Sequence, residues 1–433
     1  MLQIIFVFLV IIYSLFVKDC RKIILLLLVL LPFNNILKTI FFYNGGDSIF
    51  SFWKEIAIII LFFRTYLIKS EKQVGYIKNR LINTYIFIVF YFFIFFVIGA
   101  GIFGTSMAFR TFRNVAFLPI LLFIFPNLTL DNIFKKKFLM SLIFSATLMG
   151  VFGVLECHLG FREAIRGYMG QIEEIGSDGT IYYNTTNLKI MGFDRMAGLM
   201  GTPNDFGNYM ALSASMIYIF LKRKIIEYKH NKFLWLSFIF IILCLIESFC
   251  RTAFVMFLLI LILTEYKAKK NIVKNLIVIS VISFFLVLIA SFVNDSVYEI
   301  FSATFSGNEA SAADRGSNFK RGIDFLFANP FGYGLGSTEN SVKNYIFFSE
   351  SSFLNLGVEA GIFAIILFLF FCKKINTVLY IHHNELSIYS SSVVITNSIC
   401  FLFANIFGTP YIYFFWLFTG IGLMRSSSDI NKA

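Results

Sequence analysis

Apolar residues form long runs that recur from one end of the chain to the other, with short polar segments between them. The hydrocarbon core of a bilayer requires about 20 helical residues, with a usual range of about 17–25. Runs near this length predict thirteen spans: 2–17, 23–42, 53–68, 82–100, 115–128, 138–156, 207–221, 233–249, 252–265, 275–293, 352–372, 387–405 and 410–424. Polar residues and Pro32 interrupt the second run. The pattern therefore predicts an all-α polytopic membrane protein with about 12–13 transmembrane helices.

Composition supports the same class. Of the 433 residues, 58% are hydrophobic and only 14% are charged, whereas soluble domains carry about 25% charged residues. A soluble protein is therefore excluded, and residues 1–433 are interpreted as one polytopic membrane domain. The net charge is +12, but in a membrane protein the distribution of Lys and Arg along the chain matters more than the sum. A nucleic-acid partner is therefore not expected.

Lys and Arg concentrate in alternate connections between the predicted spans. The basic clusters are Lys18–Lys22, Arg64–Arg80, Lys135–Lys137, Lys222–Lys232, Lys267–Lys274, Lys373–Lys374 and the tail with Arg425 and Lys432. Cytoplasmic loops carry such an excess, so the C-terminus is predicted to be cytoplasmic. The two long hydrophilic stretches, 157–206 and 294–351, are then external. Short helices are expected within them, for example at 319–327, and long loops of this kind often carry function.

Several kinds of site have little support in the sequence. The Gly332-x-Gly334-x-Gly336 segment lacks the Lys-Ser/Thr of a phosphate-binding loop, so a tight backbone turn is the better interpretation. The four His form no HxxxH pair and the six Cys form no CxxC pair, so neither a metal site nor a cofactor is predicted. Few carboxylates lie in the spans, which disfavours a proton-driven pump.

The predicted external face carries a set of arginines and one carboxylate near the ends of helices. The set is Arg195, Arg251, Arg315, Arg321 and Glu350. Guanidinium groups bind phosphate in a bidentate manner, which favours a substrate with phosphate or diphosphate. Simpler roles remain open. Arg251 could extend to the membrane interface or form an intrahelical pair with Glu247, the loop arginines could be solvated, and Glu350 could be a structural acid at the start of a helix.

The order of these residues resembles the O-antigen polymerase and O-antigen ligase superfamily. Four segments carry the resemblance. In chain order they are Arg195 to Gly207 with Pro203-Asn204, Ser248-Phe-Cys250-Arg251, Arg315 to Gly336 with Arg321, Asn329-Pro330, Gly332 and Gly334, and Glu350 to Gly361. Cys250 stands where the family has a second Ser, and Arg195 and Gly207 are separated by eleven residues and not ten. The matched part covers roughly 190–370.

The resemblance implies a membrane glycosyltransferase. Ligases carry His-Asn where this chain has Glu350-Ser351, so the resemblance favours a polymerase of oligosaccharide units carried on undecaprenyl diphosphate. Glu350 would be the catalytic base, the four arginines would bind diphosphate, and Pro203, Asn204 and the three glycines would shape the loops. The alternatives are a ligase that transfers polymer to lipid A core and a flippase or transporter of polysaccharide units.

The resemblance also implies a location and partners. The expected place is a bacterial inner membrane, with the active face in the periplasm. The donor and the acceptor would both be lipid-linked oligosaccharides, surrounded by membrane lipid. A chain-length regulator and a flippase of the same pathway are the expected protein partners.

Overall fold

A computed structural model describes residues 2–41, 52–67, 74–168, 172–175, 181–183, 188–190, 193–225, 231–268, 310–338, 346–382 and 384–426. The chain divides into two compact units. The first comprises Met1–Lys69, Asn127–Leu258 and Arg425–Ala433, and the second comprises Ser70–Pro126 and Leu259–Met424.

Helices dominate both units. The α-helices are α1 Leu2–Phe16, α2 Arg21–Leu30, α3 Asn34–Phe41, α4 Trp53–Leu67, α5 Val74–Phe103, α6 Thr105–Phe112, α7 Leu121–Ile124, α8 Asn132–His158, α9 Arg162–Tyr168, α10 Pro203–Lys222, α11 Asn231–Glu247, α12 Arg251–Lys267, α13 Ala310–Ala328, α14 Ser352–Ala360, α15 Ile362–His382, α16 Glu385–Cys400 and α17 Tyr411–Ile421. Short 3₁₀ turns cover Leu31–Phe33, Leu118–Ile120 and Phe125–Asn127, and a π-helical turn covers Arg113–Phe117.

The few strands form two-stranded pairs. Strand β1 Thr129–Leu130 lies parallel to β6 Arg425–Ser426. In the first long connection, β2 Ile172–Ile175 pairs with β3 Ile181–Tyr183, and β4 Lys189–Ile190 pairs with β5 Phe193–Asp194, both antiparallel. The protein is thus an all-α polytopic membrane protein with minor β-hairpins in a connection.

Among the described residues, four helical runs are long and apolar enough to cross a membrane. They are Leu81–Phe103, Thr105–Asn127, Asn132–His158 and Ile362–His382. Two shorter apolar helices are Ile5–Phe16 and Tyr411–Ile421. Every predicted span except 275–293, which lies outside the described residues, overlaps helical structure.

Two predicted spans have the wrong bounds. The span predicted at 352–372 is two helices, α14 and α15, because Gly361 between them has a φ of +84°, a value that glycine adopts most readily. The run predicted at 115–128 begins at Thr105, after Gly104 with φ +97°. The first half of this run was not predicted because it contains polar residues such as Arg110. In the structure the Arg110 guanidinium donates to the Gly408 carbonyl (2.9 Å).

Side-chain caps start several helices where the sequence supplies Asp, Thr, Ser or Asn. Asp131 accepts from the Phe134 amide at 2.6 Å and starts α8. Thr202 accepts from the Asp205 amide at 3.1 Å, and Pro203 occupies the first turn of α10, where a missing N–H has no cost. The Thr202 cap thus fixes the start of α10 at the end of the first long connection.

Contacts within each unit join segments that the charge pattern assigns to the same side of the membrane. In the first unit Arg21 pairs with Asp131 at 2.6 Å. In the second unit Lys374 donates to Thr84 at 2.9 Å. An aromatic cluster in the second unit packs Phe368 against Phe353, Phe401 and Phe407, which anchors α14 to α15.

Candidate functional site

In the first unit, the N-terminus of α10 lies against the turn between α11 and α12. A Cβ atom at Gly207 would lie 2.7 Å from the Ser248 hydroxyl and 2.8 Å from the Cys250 Cβ. Distances below 3.0 Å are not tolerated without a shift, so glycine at position 207 permits this close approach. Two helix N-termini with their positive dipole ends therefore lie side by side.

Arg195 ties these two N-termini together. Its Nε donates to the Ser248 carbonyl (3.0 Å) and its Nη2 donates to the Asn204 side-chain oxygen (2.9 Å). Asn204 is in the first turn of α10, directly after Pro203. The guanidinium thus has a positioning role in the structure as well as a positive charge.

Arg251 is the first residue of α12 and is half-buried. Glu247 is the last residue of α11, and Phe249 between them has a φ of +47°. The two residues lie on different helices, so the intrahelical pair considered from the sequence is wrong. The carboxylate of Glu247 instead contacts the His158 ring.

A buried ion pair supports the segment that follows Arg195. Arg166 is 0% exposed and Glu156 is 2% exposed, and the guanidinium donates to Glu156 through Nε at 2.8 Å and through Nη2. The other carboxylate oxygen accepts from the amides of Ala197 (3.2 Å) and Gly198 (2.7 Å). Sequence reasoning missed this pair, although an acid within an apolar run is a signal of a specific role.

Arg162 on α9 adds charge beside the same segment. It pairs with Asp194, the residue before Arg195. Burial alone would lower the pKa of Arg162, but the hydrogen bond and charge of Asp194 raise it above its ordinary value. The guanidinium therefore stays charged, and β5 is held to α9.

In the second unit, the exposed Glu350 precedes α14 on a backbone that is fixed on both sides. Ser349 and Asn355 exchange two hydrogen bonds, from the Ser349 amide to the Asn355 Oδ1 (2.9 Å) and from the Asn355 Nδ2 to the Ser349 carbonyl (2.8 Å). Ser351 caps α14 by accepting from the Leu354 amide (3.3 Å). Ser352 donates to the Ala404 carbonyl (2.8 Å). The carboxylate thus stands at a helix N-terminus on a rigid support.

Helix α13 packs beside this support. A Cβ atom at Gly322 would lie 2.8 Å from Leu354 and 3.0 Å from Phe347, which flank Glu350 in the chain. Arg321, the neighbour of Gly322, is exposed. Arg315 occupies α13 one turn before Phe319. The structure therefore places Arg321 and Glu350 on adjoining segments of one unit.

The glycine-rich segment after α13 is a tight turn between α5 and α14. Gly332, Gly334 and Gly336 have φ values of +83°, +107° and +88°. The Leu335 amide donates to the Phe95 carbonyl of α5 at 3.0 Å, and the Gly334 amide donates to the Glu359 carbonyl at 2.9 Å. Each conformation is one that non-glycine residues rarely adopt.

Glu359 fixes this turn from the last turn of α14. Its side chain is 2% exposed and accepts from the Thr338 hydroxyl (2.7 Å) and the Gly336 amide (3.1 Å). The Glu359 carboxylate therefore stabilises the fold, whereas the Glu350 carboxylate is exposed. Glu359 lies nine residues after Glu350 in the chain, and its hydrogen-bond partners could not be assigned from the sequence.

Within the described ranges, no group of three or more His, Cys, Asp or Glu side chains could hold a metal ion. The candidate residues form two sets. Arg195, Pro203, Asn204 and Arg251 lie together in the first unit, and Arg315, Arg321, the glycine turn and Glu350 lie in the second.

A comparison with curated proteins found no match. Residues 236–369 match the family model described as O-antigen ligase. The matched range includes Arg251, α13, the glycine turn and Glu350, whereas Arg195 and Pro203 lie before it. This O-antigen ligase-like domain supports membership of the chain in the O-antigen ligase/polymerase family.

Proposed function

We propose that this protein is a membrane glycosyltransferase that polymerises oligosaccharide units carried on undecaprenyl diphosphate, at the periplasmic face of a bacterial inner membrane. The observation that carries the proposal is Glu350, an exposed carboxylate on a backbone fixed by Ser349, Ser351 and Asn355. Catalytic groups need such a support, because small displacements of a base or a nucleophile are costly.

In the proposed reaction a hydroxyl of the incoming unit attacks the anomeric carbon of the longer, lipid-linked chain. The bond between that carbon and the diphosphate oxygen breaks, and undecaprenyl diphosphate leaves. The hydroxyl proton passes to Glu350. A positioned base contributes about 10²–10⁴-fold to such a step. The donor is already activated, so the step requires no nucleotide.

The arginines provide positive charge for the diphosphates of the substrates. Arg321 is exposed on α13, next to the segment that carries Glu350. In the first unit, Arg251 begins α12 and Arg195 joins this end to α10. Guanidinium groups and helix N-termini both favour anions, and they stabilise developing charge better in a partly dry site than in water.

The second candidate is an O-antigen ligase, which the description of the matched family favours. It would use the same donor and transfer the polymer to lipid A core. The pair Glu350-Ser351 in place of His-Asn argues for the polymerase.

The experiment is a gel profile of surface polysaccharide from the source strain with this gene deleted, beside the strain complemented with wild type and with Glu350→Gln. A polymerase predicts loss of the ladder, with one repeat unit still attached to its anchor. Loss of that single unit as well, with lipid-linked polymer accumulating, would indicate a ligase. An unchanged ladder would contradict both and would favour transport.

A further inference from the structure

A groove of about 530 Å³ lies in the second unit, between α15 and α16. The α15 side contributes positions three or four residues apart, which form one face of the helix. Residues of α13 and α14 close one end. Its apolar lining includes Phe319, Ile365, Leu369, Ile399 and Leu402.

The groove is apolar along its length and polar at its ends. Ser351 lies at one end, directly after Glu350, and Lys373 and Asn376 lie at the other. The Asn376 side-chain oxygen accepts from Lys267 Nζ at 3.2 Å. Between the two ends, the Ser398 hydroxyl donates to the Val394 carbonyl (2.8 Å) of its own helix. Its hydrogen is therefore already used within the helix, and an apolar ligand can lie against it.

The groove is open along one side. Phe319, Leu369, Ile399 and Leu402 are 37%, 40%, 42% and 40% exposed. Ile365 and Asn376 are eleven residues apart on α15, which corresponds to about 16 Å along the helix axis. A flexible hydrocarbon chain can therefore enter sideways from the surrounding membrane and lie along α15.

We propose that this groove binds the polyprenyl chain of the lipid-diphosphate substrate, with the diphosphate at the Ser351 end. This inference rests on the proposed function. Two observations give the direction. Ser351 directly follows Glu350, and Lys320 and Arg321, which are exposed on α13 beside that end, match an anionic diphosphate. Lys373 at the other end belongs to a basic cluster that the charge pattern assigns to the cytoplasmic side. In this orientation the bond that breaks lies next to Glu350.

The groove positions the substrate more than it adds affinity through the hydrophobic effect. A lipid chain that leaves the bilayer for an apolar groove moves between two apolar media, so transfer from water contributes little. The gain lies in fixing the end of the chain, and hence the diphosphate, in one place. Blocking the groove should therefore affect long-chain substrates most.

The test fills the groove with Ile399→Trp. The matched control is Ile366→Trp, because Ile366 is 56% exposed on α15 and does not line the groove. The assay measures binding of radiolabelled undecaprenyl diphosphate and of farnesyl diphosphate to the full-length protein in lipid nanodiscs. Steric exclusion predicts an increase of about tenfold in Kd for undecaprenyl diphosphate. The increase for farnesyl diphosphate should be smaller, and Ile366→Trp should bind both like wild type.

A second measurement applies if Ile399→Trp does not fold. The photoreactive residue p-benzoylphenylalanine is placed at Leu369 or at Ile366, and crosslinks to radiolabelled undecaprenyl diphosphate are counted. Crosslinking from 369 that exceeds that from 366 supports the groove. Equal crosslinking from both positions overturns it, as does an unchanged Kd in folded Ile399→Trp. Crosslinks from 369 to phospholipid alone would also overturn it.

The probes carry no sugar, so the result does not depend on polymerisation. Chain growth that persists in Ile399→Trp with unchanged binding would overturn the groove and leave the proposed function intact. Specific binding by wild type without any chain growth would support the groove while contradicting the polymerase.

Discussion

The start of α12 in the first unit and the start of α14 in the second both carry candidate chemistry, but they are held in different ways. Charged groups hold the first: Arg195 donates to the Ser248 carbonyl, and the buried pair of Glu156 and Arg166 fixes the segment after Arg195. Neutral groups hold the second, through Ser349, Ser351 and Asn355.

The charged side chains at the two helix starts therefore have different roles. Beside the start of α12, Arg195 and the pair of Glu156 and Arg166 form hydrogen bonds within the structure. At the start of α14, neutral hydroxyl and amide groups bond to the backbone, and the carboxylate of Glu350 is exposed. Breaking a charged support is expected to affect stability, whereas changes at the neutral support are expected to affect activity.

The largest effect is expected from Glu350→Gln. Removal of the base should lower the rate of chain growth by about 10²–10⁴-fold without loss of protein from the membrane. The measurement is polymer formed per unit of protein in purified membranes. Glu163→Gln is the control, because Glu163 is exposed on α9. Normal polymer from Glu350→Gln would remove Glu350 from the mechanism.

Glu156→Ala tests the charged support. It leaves the Arg166 guanidinium buried without its carboxylate, which costs about 3–5 kcal/mol. We expect a clear fall in the unfolding temperature of the purified protein in detergent. The exposed site Glu163→Ala should change stability by less than about 0.5 kcal/mol. If Glu156→Ala unfolds at the wild-type temperature, the pair does not support this unit.

Arg321→Lys tests the form of the cation near Glu350. Lysine keeps the charge but loses the fork that binds a phosphate through two parallel hydrogen bonds, so kcat/KM should fall about tenfold. Kinetics with lipid-linked units measure this. Lys136→Arg, a change at an exposed position on α8, should have little effect. A fully active Arg321→Lys would show that Arg321 is a solvated charge.

Asn355→Ala tests the neutral support and should have the smallest effect. It removes both hydrogen bonds to Ser349, each worth about 1 kcal/mol, and lets Glu350 move. We expect a severalfold lower kcat with a similar KM. Asn355→Asp keeps an acceptor for the Ser349 amide and should fall between alanine and wild type. The same kcat in all three proteins would argue against a positioning role.

Much of the fold could be predicted from hydrophobic runs. In lipid each spanning segment must form its backbone hydrogen bonds internally, so it folds as a helix. The break at Gly361 was missed because composition does not report φ. The start at Thr105 was missed because Arg110 and Asn114 look polar in sequence, although they bond to the carbonyls of Gly408 and Phe407.

The candidate site could be predicted only in part from the sequence. Arg195, Arg321 and Glu350 could be proposed from residue type, position and family resemblance. The roles of Glu156, Asn355 and Glu359 depend on partners far apart in the chain or on the local path of the backbone, which periodicity does not reveal. Glu359 and Glu350 differ by nine positions, yet only the structure shows that one is buried against the glycine turn.

The central claim is tested most directly by purified protein in liposomes, supplied with undecaprenyl-diphosphate-linked repeat units and no lipid A core. The account predicts a ladder of longer lipid-linked chains and release of undecaprenyl diphosphate, both absent with Glu350→Gln. Transfer that occurs only after lipid A core is added, with no ladder in its absence, would contradict the polymerase.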